Sequence, residues 1–194
     1  MKESLEEELK QAKKKSAKPM LWISMISMTM LFAGLTSAYV VSRNRDDWVS
    51  FDMPDAFTVS TILIVFSSIT MILAKRFIQK DQRQLTTAFL IGTLMLGLGF
   101  AYFQYAGIFI ELNNAGLFFA GEESTVKASF IIGIAFAHLA HIFAGIIVLC
   151  IVLYNHMMKK YNSGNFLGLE LGGIFWHFVD ILWIYLFLFF YFIR

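Results

Sequence analysis

Leu171-Gly-Gly-Ile-Phe-Trp-His-Phe-Val-Asp-Ile-Leu-Trp-Ile-Tyr-Leu-Phe-Leu-Phe-Phe-Tyr-Phe-Ile193 is apolar throughout, apart from His177 and Asp180. A helix needs about 20 residues to cross the hydrocarbon core of a bilayer, and this run is long enough. Strands of a membrane β-barrel would instead show short segments of alternating polarity. Outward from this stretch, four more continuous apolar runs occupy residues 21–41, 56–74, 85–110 and 130–154, with brief polar loops between them. The third is long and is predicted to end before Ile110, near Tyr105. The predicted fold class is therefore an all-α membrane protein. A five-helix transmembrane domain spans residues 21–194, with a charged tail over residues 1–20.

Composition agrees. Charged residues make up 15% of the 194 residues, too few to clothe a soluble domain of this size. The net charge of +2 says little, because in a membrane protein the placement of charge matters more. With the N-terminus cytoplasmic, the inner segments carry Lys2, Lys10, Lys13, Lys14, Lys15, Lys18, Lys75, Arg76, Lys80, Arg83, Lys159 and Lys160. The outer segments then carry only Arg43, Arg45, Lys127 and Arg194. The positive-inside rule accordingly predicts the N-terminus inside and the C-terminus outside. Asp46, Asp47, Asp52, Asp55, Glu111, Glu122 and Glu123 fall in the outer loops and do not contradict it.

The charged stretch up to Lys18 is too long for the leading region of a secretory signal, so the first span is expected to persist in the mature protein. Ser4 with Glu7 fits a capping box, and Leu5 and Leu9 are four apart. The tail is therefore expected to form a short amphipathic helix with its lysines toward anionic headgroups. Gly34 and Ala38 in the first span, and Gly92, Gly97 and Gly99 in the third, are candidate sites of close helix approach. Trp22, Trp48 and Tyr161 suit the membrane interfaces. The single Cys150 cannot form an internal disulfide and is expected to be a small packing residue. His156 is expected to be exposed in an inner loop.

The chemistry to weigh lies in the last two spans. His138 and His141 share one face of the fourth, and His177 and Asp180 share one face of the fifth. Ionisable groups at this depth cost roughly 2.5 to 3.5 kcal/mol on insertion scales, so they should face protein and find partners. Helical rise places His141 and Asp180 at similar depth on adjacent antiparallel helices. The expectation is a hydrogen bond between them, with His138 and His177 close by. A metal site is one reading, but the three-residue spacing is not the i, i+4 pair of convergent zinc ligands, and no Cys, Glu or third His extends it. Proton relay is another, and it lacks a ladder of ionisable groups to either surface. The reading favoured by these residues is structural: a buried polar cluster of His138, His141, His177 and Asp180 that satisfies itself and holds helix register. Glu170 is read as a carboxylate stabilised by the dipole at a helix N-terminus. Tyr39, Gln104 and Tyr105 are further polar groups in spans or near helix ends.

These residues also carry a resemblance. Glu170 through Tyr185, with Trp176-His-Phe-Val-Asp180 and Trp183 at its core, resembles the last-helix signature of cytochrome c oxidase subunit III, a family of haem-copper respiratory oxidase subunits. His138-Leu-Ala-His141, followed by Gly145, is similar to that family's H-G-L-H segment, and Met30 through Tyr39 to its first retained helix. Gln104 and Tyr105 resemble the family's third. The likeness runs from Leu21 to the end of the chain. It implies the short, five-helix form of an accessory subunit with no catalytic residues and no haem, copper or other metal of its own, those cofactors belonging to partner subunits. The implied partners are subunit I by direct packing, subunit II, a small subunit IV and membrane lipids including bound phospholipid, with no nucleic acid. The implied setting is a proton-pumping cytochrome c oxidase of aerobic respiration in a bacterial cytoplasmic membrane. The implied role is to sustain proton uptake and lasting activity. A quinol oxidase or a nitric-oxide reductase-related complex is the alternative within the family. A free-standing metalloenzyme or a small transporter stands outside it. One departure is plain: where the family often has a glutamate in the first retained helix, this chain has Met28.

Overall fold

The computed structural model describes residues 2–43, 55–111 and 126–193. Five long helices account for nearly all of them: α1 (Lys2–Ser42), α2 (Asp55–Gln79), α3 (Arg83–Ala106), α4 (Val126–Met157) and α5 (Leu167–Phe192). Each contains a stretch long and apolar enough to cross a membrane. A helix is the answer forced on such segments, because hydrocarbon offers no partner to a free backbone N–H or C=O. Hydroxyls in the spans follow the same logic by bonding back to their own helix. In α1, Ser24, Ser27, Thr29 and Thr36 donate to the carbonyls of Met20, Ile23, Met25 and Phe32 at 2.9–3.1 Å.

α1 differs from the expected tail plus span. It is one continuous helix that begins at Lys2, upstream of Ser4, so Ser4 is not its N-cap. The strong helix formers of the tail carry the helix straight through Pro19 into the apolar segment. The Leu5–Leu9 face, Trp48, and the acidic residues Asp46, Asp47, Asp52, Glu122 and Glu123 lie outside the described side chains. α3 is α-helical to Ala106 and then widens into a π-helical turn, Gly107–Glu111. Gly107 lies under the Phe57 ring, where a β-carbon would be 2.5 Å from Cε1.

α5 is the central helix. Half of its most apolar window is buried within the molecule, against 17% for α1. It packs on α1, α2 and α4, while α3 leans on α2 and α4. Two hairpins close the same end of the bundle. Between α2 and α3, Asp81 takes a left-handed backbone (φ 55°), and between α4 and α5 Lys159 does the same (φ 58°). The hairpins are tied together: the Ser163 N–H donates to Asp81 Oδ1 at 3.0 Å, and Arg83 Nη2 donates to the Tyr161 carbonyl at 3.2 Å.

Three expectations are corrected here. Gly34 and Ala38 face outward, with open space around Gly34, so they mark no close approach within this chain. Cys150 is exposed on the flank of α4 rather than packed inside. His156 is not exposed: it sits buried in the last turn of α4, with Nε2 3.3 Å from the Arg83 carbonyl and 3.1 Å from Thr87 Oγ1.

Candidate functional site

The polar chemistry of the bundle runs as a seam between α2 and α5. On α5, Trp176, Asp180 and Trp183 follow one another at spacings of four and three, which puts them on a single stripe. α2 answers with hydroxyls. Trp176 Nε1 donates to Ser67 Oγ at 2.9 Å, and Trp183 Nε1 donates to Thr61 Oγ1 at 2.9 Å. His177 Nδ1 lies 2.6 Å from Ser68 Oγ. The other side of the same hydroxyl row reaches α3: Ser67 Oγ donates to the Thr93 carbonyl (3.4 Å), Thr70 and Thr93 pair at 2.9 Å, and Gln104 Nε2 donates to Ser60 Oγ at 3.1 Å.

Sequence reading missed this row. Its signal was present as Ser60 and Ser67, and Thr61 and Ser68, each pair seven residues apart in an otherwise apolar span. Seven residues are two helical turns, so each pair stays on one face. The interhelical hydrogen bonds they make are a standard means of joining helices in lipid.

The predicted four-residue cluster divides in two. Asp180 is not bonded to His141. Its side chain is buried, and neither carboxyl oxygen has a hydrogen-bond partner among the described residues. His141 instead uses Nδ1 on its own helix, 2.7 Å from the Ala137 carbonyl, with its ring 5.6 Å from that of Phe32 on α1. The predicted depth was nevertheless correct. Trp176 stands opposite Gly145 and Trp183 stacks on His138 at 5.2 Å, which sets Asp180 level with His141. Rotation about the helix axes, not height, separates the two.

His138 is fully buried between Trp183, Phe32 and Phe100, and neither ring nitrogen has a hydrogen-bond partner among the described residues. Nowhere among those residues do three or more His, Cys, Asp or Glu side chains converge as ligands for a metal ion. Glu170 stands in the first turn of α5, as its sequence position implied. The fold adds two cations to the dipole: Lys18 Nζ of α1 at 2.8 Å and Lys75 Nζ of α2 at 3.4 Å. Tyr39 is buried among Phe130, Phe189 and Phe190, and its hydroxyl donates to the Ile193 carbonyl at 3.4 Å. Tyr105 is exposed. Met28 lines an apolar cleft between α1, α4 and α5 that includes Val148 and Phe175.

A family model described as cytochrome c oxidase subunit III matches residues 48–194. Over 175 residues the chain is 25% identical to a probable quinol oxidase subunit 3 of Staphylococcus saprophyticus, covering 86% of this chain and 83% of that one. It is 27% identical over 175 residues to cytochrome c oxidase subunit 3 of Thermostichus vulcanus, covering 86% and 82%. Against cytochrome c oxidase subunit 3 of Aedes aegypti the identity is 27% over 130 residues, which is 67% of this chain and 47% of the insect protein. The matched region contains α2 to α5 and with them the entire polar seam. This chain belongs to the cytochrome c oxidase subunit III family, the third subunits of haem-copper oxidases.

Proposed function

We propose that the chain serves as the non-redox, structural subunit of a proton-pumping terminal oxidase, packing against subunit I alongside subunit II and a small subunit IV. The observation that carries this reading is where the signature residues point. The indole nitrogens of Trp176 and Trp183 and the imidazole of His177 are all engaged with hydroxyls of α2, so the motif is used to join helices. Haem and copper then belong to the partner subunits, and this chain supports their environment, bound phospholipid and proton uptake.

Orientation in a bacterial cytoplasmic membrane is part of the proposal. Lys18, Lys75 and Glu170 meet at the end of the bundle where the Arg83 and Tyr161 hairpins are tied. That gathers the basic segments at one end, as the positive-inside rule asks of the cytoplasmic side. A quinol in place of cytochrome c as electron donor is the second reading. The Staphylococcus relatives named as quinol oxidase subunits are 25% and 26% identical, within a few per cent of the relatives named as cytochrome c oxidase subunits, at 26% to 28%.

Purification in mild detergent through a tag on this chain tests the proposal, with a reduced-minus-oxidised spectrum and mass spectrometry of the accompanying subunits. Co-purification with a haem-bearing large subunit, and no chromophore on the separated chain, is the expected result. The form of the second subunit decides the donor. A chain that purifies alone with its own haem or metal would overturn the reading.

A further inference from the structure

A groove of about 340 Å³ opens between α2 and α5, toward the end of the bundle where the hairpins are tied. Three rungs between these antiparallel helices fix its course: Lys75 with Glu170 at 3.4 Å, Met71 against Gly173, and Ser68 with His177 at 2.6 Å. From Glu170 to His177 the groove follows two turns of α5, about 10 Å of helical rise. At the middle rung α5 has no side chain, and a β-carbon on Gly173 would stand 3.2 Å from Met71 Cε. The α2 wall is the stripe Ile72, Arg76 and Gln79, at spacings of four and three. Polarity is thereby sorted along the groove. Lys75, Arg76, Gln79 and Glu170 stand at its mouth, and Met71, Ile72 and Gly173 line the stretch toward the middle of the bundle. Glu170 is already held by Lys18 and Lys75, whereas Arg76 is exposed and has no ion-pair or hydrogen-bond partner among the described residues. Cations outnumber the carboxylate, so the mouth is positive. No charged side chain lines the larger cleft between α1, α4 and α5. Membrane topology asks for positive charge at this level, but not for an apolar groove leading from it.

We propose that this groove binds one anionic phospholipid of the cytoplasmic leaflet, with its phosphate on Arg76 and Lys75 and an acyl chain laid over Ile72, Met71 and Gly173. The planar guanidinium can donate to two phosphate oxygens at once, and Lys75 adds a point charge beside it. The Gln79 amide, on the same stripe as Arg76, is a further donor for the headgroup. Beyond the phosphate, the missing side chain at Gly173 gives an acyl chain room between the two helices. Phosphatidylglycerol suits the positive mouth, whereas the choline of phosphatidylcholine adds a cation that Arg76 and the lysines repel. A free phosphate would use the mouth alone and leave the apolar stretch unfilled. The choice of leaflet rests on the orientation proposed above, and the site itself does not.

Native mass spectrometry of the complex purified through this chain tests it, with phosphatidylglycerol or phosphatidylcholine titrated into the detergent. The native complex should retain one phosphatidylglycerol more tightly than phosphatidylcholine, and Arg76→Gln should weaken that retention by about tenfold, the scale of a lost charge-assisted hydrogen bond. Ile72→Trp keeps every cation and fills the apolar stretch, so it should weaken retention as well. Arg76 and Ile72 are exposed, and each variant checks the other should one fail to fold. Lys160→Gln, at an exposed lysine of the other hairpin, should leave retention unchanged. Retention untouched by Arg76→Gln or by Ile72→Trp would overturn the proposal. So would an equal loss in Lys160→Gln, which means a basic surface without a site, or displacement of the lipid by inorganic phosphate, which means a site for a free anion. The lipid is counted on whatever particle carries the chain. A chain without haem-bearing partners would overturn the proposed assembly and still report on the groove.

Discussion

The indole ring of Trp176 fills the notch left by Gly97: a β-carbon at that glycine would stand 2.7 Å from Cη2 and 2.8 Å from Cζ2. From another side Gly145 leaves the same ring room, with a β-carbon there 3.1 Å from Cε3 and Cζ3. The indole nitrogen meanwhile donates to Ser67. One side chain of α5 therefore touches α2, α3 and α4 at once, two of them through glycines and one through a hydrogen bond.

Gly97→Ala cannot be absorbed by a flexible side-chain end, because the facing atoms belong to a rigid ring in a full core. It should destabilise the bundle by about 1 to 3 kcal/mol, the usual cost of overpacking. Gly92, on the same helix, faces open space, and Gly92→Ala should stay within about 0.5 kcal/mol of the native protein. Thermal unfolding in one detergent reads both. Equal effects would show that Gly97 is not the contact glycine.

Trp183→Phe should remove the hydrogen bond to Thr61 and weaken the stack on His138. The expected loss from the hydrogen bond is about 1 kcal/mol. Thr61 keeps its own 2.7 Å bond to the Phe57 carbonyl, so its hydroxyl is not orphaned by the change. A double-mutant cycle of Trp183→Phe with Thr61→Val should therefore return a coupling of about 1 kcal/mol. Purely additive losses would place the stability of this junction elsewhere.

The ion pairs at Glu170 hold α1 and α2 to α5, yet the lysine side chains are 46% and 40% exposed. Pairs so accessible to solvent contribute about 0 to 1 kcal/mol and are screened by salt. Glu170→Gln should thus lower stability by less than about 1 kcal/mol at low ionic strength, and the difference should vanish at high ionic strength. A loss that persists in high salt would mean the carboxylate is needed for more than these pairs.

Acid should release the tie between the two hairpins. Hydrogen bonds from Ser163 hold the Asp81 carboxyl below its ordinary range, assisted by the charge of Arg83. The folded value is the lower one, so the contribution is present above the unfolded value and is lost as pH falls through the folded value. The protection factor of the Ser163 amide against hydrogen exchange should exceed that of Asp81→Ala near neutrality. The two should converge below the carboxylate range. No difference at neutral pH would mean that the bond does not persist in solution.

Much of this architecture was legible in the chain. The five spans and the place of Glu170 in the first turn of α5 followed from apolar length and helix-end chemistry, whereas the third span, expected to end near Tyr105, stays helical through the π turn to Glu111. The equal height of Asp180 and His141 could also be anticipated, because helical rise is fixed. Other features were not legible. His156 read as a loop histidine because its cover comes from Arg83 and Thr87, far away in the chain. Cys150 read as a packing residue because an apolar neighbourhood in sequence does not say which flank faces another helix.

The sequence by itself determined which segments cross the membrane and how deep each polar group lies, since bilayer thickness and the rise per residue set both. Only the tertiary structure decided the rotation of each helix about its axis. Lipid is as apolar as a leucine face, so burial of apolar surface does not choose that angle; close packing and interhelical hydrogen bonds do. Here the fit of Trp176 against Gly97 and Gly145, and the reach of Trp176, His177 and Trp183 to the hydroxyls of α2, set the rotation of α5 that leaves Asp180 without a bond to His141.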